Sequence, residues 1–386
     1  MPRISIPFAG PANTLRSEIA CPDEAINEVL ESTAPGNAKT PTYSRNTPGL
    51  RVFCLLPTLP VRGIFASPVG GRVFAVAGAT FYEIFAEGTF TALGSVANDT
   101  LPVSMDSNGS AGNQILIVSA GQGYIFNFAT NTFSQITDPD FPSPARMVTF
   151  IGSYFVVLKG AGSRSFSWSA QEDGLSWDPL DVAEVSEASD NLNAVMRNHF
   201  ELWMVGVSTS TVYVLTGDPT TVFAPYQGVL MELGTPARFT VQRIDNTLMW
   251  LTSDQRGMGM VVRMDQFVPR RISTFAVEWD IQQLSTAASP YTIGLAFQME
   301  GHIFYALTFR DDDVIQGGID HSWLYDVTMD RWTKWEHWNV NTATSEPNRA
   351  GCYGFCFEQH LFGDRLTGAI YRGSFAFAEE QLAAVA

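Results

Sequence analysis

Basic residues, cysteines and long apolar runs are all scarce in this 386-residue chain, and each scarcity closes off a class of function. Lys and Arg total 23 against 39 Asp and Glu, a formal net charge of −16. Proteins that grip nucleic acid gain affinity by neutralising phosphates, so this surface is expected to repel DNA overall. The four cysteines are Cys21, Cys54, Cys352 and Cys356. None sits in a CxxC pair or a Cys/His cluster with zinc spacing. Cys352 and Cys356 share one strand and one face about 13 Å apart, too far for a disulfide, and buried free thiols are the expected state. No run of 18 apolar residues occurs, so no transmembrane helix is expected and no membrane insertion. The opening stretch MPRISIPFAGPANTL has no continuous apolar core of a signal peptide, and a soluble protein made inside the cell is the simplest expectation. There is no P-loop, GxSxG or HExxH, and the histidines His199, His302, His321, His337 and His360 are scattered. No catalytic, cofactor-binding or metal site is read from the residues, and no cofactor is expected; the chain is not read as an enzyme.

What the sequence has instead is a repeat. Seven apolar runs begin at Arg72, Gln114, Tyr154, Glu201, Thr247, His302 and Gln359. Their spacing, 40 to 57 residues with a mean of about 48, is that of propeller blades. A first strand precedes each run, from RGIFAS at Arg62 to CYGFCFE at Cys352, and a third follows, from FYEIF at Phe81 to AIYRG at Ala369. Linkers between them hold Gly, Asn, Asp and Ser, the turn formers, and the runs are rich in β-branched and aromatic residues. A fourth, outer strand is visible in several units, at Phe90, Phe133, Phe267 and Trp332. The seventh unit lacks one, while GLRVFCLL (49–56) is a strand without a unit. Lending it to the last blade would remove an edge that templates aggregation. The reading is all-β: a seven-bladed β-propeller over 49–386 closed by an N-terminal strand, with six blades plus a separate terminal sheet as the alternative.

Residues 1–48 differ, being rich in Pro, Ser, Thr and Asn, and read as an extended N-terminal arm. Within it only Asp23–Glu31 is expected to form a short helix. Ile6, Phe8, Leu15, Ile19 and Leu30 are more apolar surface than a solvated tail needs, which favours an arm that wraps its own propeller or a neighbour.

Two weak signals remain. AQEDGLSW (170–177) approximates the Asp-box hairpin of sialidase-like propellers, with Glu172 where Asp is usual. One such box is a structural turn, and glycoside hydrolysis needs a convergent carboxylate pair besides. The acidic run Asp311–Asp313, with Asp320 across the hairpin, reads as a solvated tip, since its spacing follows no calcium loop.

The order of phrases resembles the packaged-DNA stabilisation proteins of short-tailed bacteriophages, tail accessory proteins of the head-to-tail connector or nozzle. The resemblance rests on AINEVLESTAP…YSRNTPGLRVF (25–53), VRGIFASPVGGRVFAVAGATFYEI (61–84) and above all AEVSEASDNLNAVMRNHFELWMVGVSTSTVYVLTGDP (183–219). It implies a homohexameric ring in the virion tail, made in the host cytoplasm. Portal and adaptor proteins would lie above it and tail needle, fibre or spike proteins below. The ring would close the portal channel and retain the genome until DNA ejection, with DNA passing through without sequence-specific binding. The sequence departs from longer relatives, which carry further β-structure after the propeller, so contacts made by that part are not carried over. The alternative is a non-enzymatic Kelch-like or lectin-like propeller binding a protein or glycan through aromatics such as Trp323, Trp332, Trp335 and Trp338.

Overall fold

The computed structural model describes residues 25–32, 42–186, 190–253, 259–284, 289–309, 319, 321–377 and 379–384. Seven antiparallel sheets follow one another, over 61–95, 104–135, 145–184, 192–231, 242–271, 293–347 and 350–374. The first six are complete within themselves. The seventh has three strands of its own, and its fourth is Gly49–Leu55, paired antiparallel to Ala369–Ser374. The ring is therefore a seven-bladed propeller closed by the N-terminal strand, and the six-bladed alternative is excluded.

The seven apolar runs become the second strand of each blade. There both faces of a sheet meet a neighbouring sheet, so alternation disappears: all of Val73–Ala77 and Gln114–Ser119 is buried. Between blades the gaps are filled by aromatics. Phe74 stacks on Phe81 at 5.4 Å and both meet Phe126 of the next blade, while Trp203 meets Trp250 at 6.3 Å. Each such side chain removed from water contributes about 1.5–3 kcal/mol.

The closing strand is tied on its other side as well. Gln381 N–H donates to the Leu50 carbonyl at 2.8 Å, and Leu382 and Ala383 pack on the core that holds Leu50. The last described residues thus cover an edge that would otherwise be free.

Five elements depart from the sequence reading. Outer strands also form at Asp173–Glu184 and Phe223–Met231. A nine-residue helix, Phe275–Gln283, joins blades five and six and lengthens that interval. Blade six carries a fifth strand, Thr344–Pro347. The expected helix over Asp23–Glu31 is corrected: Glu28–Ser32 is a strand, hydrogen-bonded to Thr42–Asn46. This hairpin lies on the outer strand of blade six, where Asn27 N–H donates to the Lys334 carbonyl at 2.8 Å and Val29 enters the core. The apolar arm residues Ile6, Phe8, Leu15 and Ile19, together with Cys21, the Asp311–Asp313 run and Asp320, lie outside the described residues.

Candidate functional site: channel, mouth and edge clefts

The inner strand of each blade faces the propeller axis, and the blades crowd there. A Cβ on Gly63 would come within 2.6 Å of Val103 Cγ2 and 2.8 Å of Met105 Cε in the next blade. Among the inner strands of blades one, two, five, six and seven lies a cavity of 180 Å3, walled by Phe65, Met105, Phe239, Leu295 and Tyr353. A duplex, whose major groove alone is about 12 Å wide, does not pass through it.

Arginines gather where the inner strands enter. Arg62 is buried and donates to four acceptors: the carbonyls of Leu101 (2.6 Å), Gly78 (3.0 Å) and Ala97 (3.1 Å), and Asp99 Oδ1 (2.6 Å). Burial presses its pKa down against the Asp99 charge. This arginine clamps the crossover between blades one and two. Arg146 and Arg238 are half-buried and the Nε of each lacks a partner among the described residues. Burial, then repulsion from Arg146, lowers Arg238 to about 10. Asp106 is the reverse case: burial raises its carboxyl, while the amides of Phe150 (2.7 Å) and Ser107 (2.8 Å) donate to it, the first of them joining blades two and three.

Two clefts open at the edges of blades four to six. One, of 580 Å3, is lined by Asn198, His199, Glu201, Asp245, Arg263 and Arg270 among others. The second, of 430 Å3, shares Arg263 and Arg270 and adds Arg271, Arg331, Asp330 and Tyr325. Arg263 pairs with Asp245, and Arg271 holds Glu278 through Nε at 2.6 Å and Nη2 at 2.7 Å. The signal that could have revealed this basic site is arginines on the paired strands of blade five, at Arg263, Arg270 and Arg271. Arg331 belongs to the next blade, so no linear motif connects it to them.

The singled-out residues occupy structural places. Cys54 and Cys356 share one core cluster with Cys352 packed against it, and all three are free thiols. Burial pushes each up to about 12. Four histidines have separate partners: His302 with Asp326 at 2.6 Å, His321 with Asp280 at 3.0 Å, His337 with Glu380 at 3.1 Å and His360 with Tyr353 at 2.9 Å. Among the described residues no group of three His, Cys, Asp or Glu could hold a metal ion. No helix among them is long and apolar enough to cross a membrane. In the Asp-box-like hairpin, Glu172 has φ 57° and the Trp177 ring donates to the Gly174 carbonyl at 2.9 Å, a turn fastening. Trp323, Trp332 and Trp335 are buried in blade packing, and only Trp338 of the four is exposed.

Residues 26–376 match the family model described as the β-propeller of bacteriophage P22 Gp10, a phage-stabilisation family. No curated protein matches the chain. Among solved structures it is similar to the streptogramin B lyase structure, at 11% identity and TM-score 0.52 over 84% of this chain and 97% of that one. It is also similar to selenomethionine-substituted virginiamycin B lyase from Staphylococcus aureus, at 10% identity and TM-score 0.52 over 90% and 99%. A third is the extracellular domain of a putative hybrid two-component system from B. thetaiotaomicron, at 9% identity and TM-score 0.55. The match covers 85% of this chain but 40% of that longer one. At these identities the likenesses speak to the fold alone.

Proposed function

The chain belongs to the phage DNA-stabilisation family of the bacteriophage P22 Gp10 β-propeller, and on that premise we propose that it is a structural, non-enzymatic subunit of the virion tail. It extends and closes the portal channel as part of a homohexameric ring, retains packaged DNA, and attaches distal tail parts. The observation that carries this reading is the extent of the family match: 26–376 takes in all seven blades and the hairpin docked on the sixth.

Physical chemistry supports the same reading. A propeller axis too narrow for DNA means that any DNA channel lies between copies, which calls for a ring of subunits rather than one. A chain of net charge −16 would present a wall from which phosphates are repelled, so DNA slides past without adhering. A ring whose two ends are joined by a backbone ladder between Gly49–Leu55 and Ala369–Ser374 resists opening, which suits a part that stands against internal pressure.

The test is assembly of particles in the absence of this protein. Heads are expected to package DNA and then lose it, so that the genome becomes sensitive to DNase. Particles that keep a DNase-resistant genome without it would overturn the reading. Mass photometry of the protein mixed with portal and adaptor proteins tests the ring separately, with six copies expected.

A further inference from the structure

We propose that the arginine cleft between blades five and six, with the aromatic helix face beside it, is a docking surface for an acidic protein segment that carries an apolar side chain. In a chain with 23 Lys and Arg against 39 Asp and Glu, four arginines line this one cleft of 430 Å3. Arg263 and Arg271 are neutralised by Asp245 and Glu278. Arg270 and Arg331 have no carboxylate partner among the described residues. Arg270 is exposed and Arg331 partly so, and the Arg331 Nη1 has no hydrogen-bond partner among the described residues. A guanidinium that faces the cleft without a counter-charge can take an incoming carboxylate in the fork geometry that arginine favours.

A second observation points to a protein as the source of that carboxylate. On the helix Phe275–Gln283, Phe275 is 54% and Trp279 47% exposed, one turn apart on the same face. The Arg271 guanidinium lies 4.9 Å from the Phe275 ring centroid, which makes the aromatic face continuous with the cleft wall. Cationic and aromatic surface side by side is the composition of an interaction hot spot. A long nucleic acid would meet the repulsion of the whole acidic molecule, whereas a short acidic segment meets mainly the cleft. Inorganic phosphate would leave the aromatic face unused. The inference holds whether or not the protein sits in a tail.

Isothermal titration of the whole chain tests it with four probes. These are a capped peptide of Asp and Glu residues around one central Leu, the same peptide with Ser for Leu, a short DNA duplex, and inorganic phosphate. The Leu peptide is expected to bind saturably and to weaken about tenfold in the double variant Arg270→Ala/Arg331→Ala. Arg270→Lys/Arg331→Lys keeps both charges and is expected to retain most of the binding, which guards against a variant that merely misfolds. Trp279→Ala should weaken the Leu peptide and leave the Ser peptide unchanged. Absence of saturable binding, or binding indifferent to the double alanine variant, overturns the proposal. So does duplex or phosphate binding as tight as that of the peptide, which would make the cleft a general oxyanion site.

Discussion

The Arg349 guanidinium grips the Asp364 carboxylate through two hydrogen bonds, Nη2 to Oδ2 at 2.5 Å and Nε to Oδ1 at 3.1 Å, with both side chains sealed from water. Thr367 (2.6 Å) and Tyr371 (2.5 Å) donate to the same carboxylate from blade seven. Burial alone would raise the Asp364 pKa, but the hydrogen bond and charge of Arg349, then the two hydroxyls, hold it below the usual carboxylate value. Asp364→Asn would leave Arg349 buried without its counter-charge, at a cost of about 3–5 kcal/mol at neutral pH. Because the folded pKa is depressed, the carboxylate's contribution is full above the unfolded value of about 3.9 and is lost as pH falls through the folded one. Melting wild type and variant between pH 7 and pH 3 should show a large gap that holds down to about pH 4 and narrows below it. A gap constant across that range would mean that the pair contributes shape rather than charge.

Closure of the ring makes a prediction of its own. Leu50, fully buried on the closing strand, packs among Phe362, Ala369 and Tyr371 of the blade it completes, whereas Val52 is 47% exposed. Leu50→Ala is expected to destabilise the propeller by about 2–5 kcal/mol in chemical denaturation. Val52→Ala should remain within about 0.5 kcal/mol of wild type. Equal effects at the two positions would show that the strand is held by its backbone ladder alone.

The same contrast between buried and exposed strands explains what could be read from the residues. Second strands such as Phe155–Leu158, buried on every side, leave an unbroken apolar run, and one-dimensional periodicity finds them. The outer strand Asp173–Glu184 is exposed along most of its length and carries Asp178, Pro179 and Asp181, so nothing in its composition announces a strand. Glu28–Ser32 is open to a helical reading because Glu and Leu favour helices. Its strand form comes from partners far along the chain, at Thr42–Asn46 and at Lys334. The helix at Phe275 exposes two aromatics and so lacks the amphipathic stripe by which helices are recognised. The arginine cleft escaped for a different reason, being assembled across two blades.

Asn27 is the latch of the N-terminal hairpin. Its side-chain amide donates to the Glu336 carbonyl at 3.1 Å and its Oδ1 accepts from the Glu336 amide at 2.9 Å, while its backbone takes φ 53°, a region asparagine tolerates better than most residues. Asn27→Ala removes both bonds and strains the turn, a loss of about 1–3 kcal/mol. Hydrogen exchange is expected to show faster opening of 28–32 and 42–46, with the propeller's global melt moved far less. A parallel fall in both would mark the hairpin as an integral part of the cooperative fold, not a docked arm.

Cys54 offers a reporter for opening of the ring itself. It lies on the closing strand beside a bulge, within the cluster that joins blades seven and one, and burial lifts its thiol to about 12. At pH 8 that leaves about one thiolate in 10,000, and the thiolate is the reactive form. Native protein treated with iodoacetamide should therefore show Cys54, Cys352 and Cys356 unmodified by peptide mass spectrometry over hours, and all three modified in guanidinium. If Cys54 alone reacts in native buffer, the closing strand detaches while the other blades hold. Leu50→Ala should then accelerate that reaction, since it loosens the same strand. Uniform modification of the three at the rate of global unfolding would instead mean that the ring opens only when the whole propeller does.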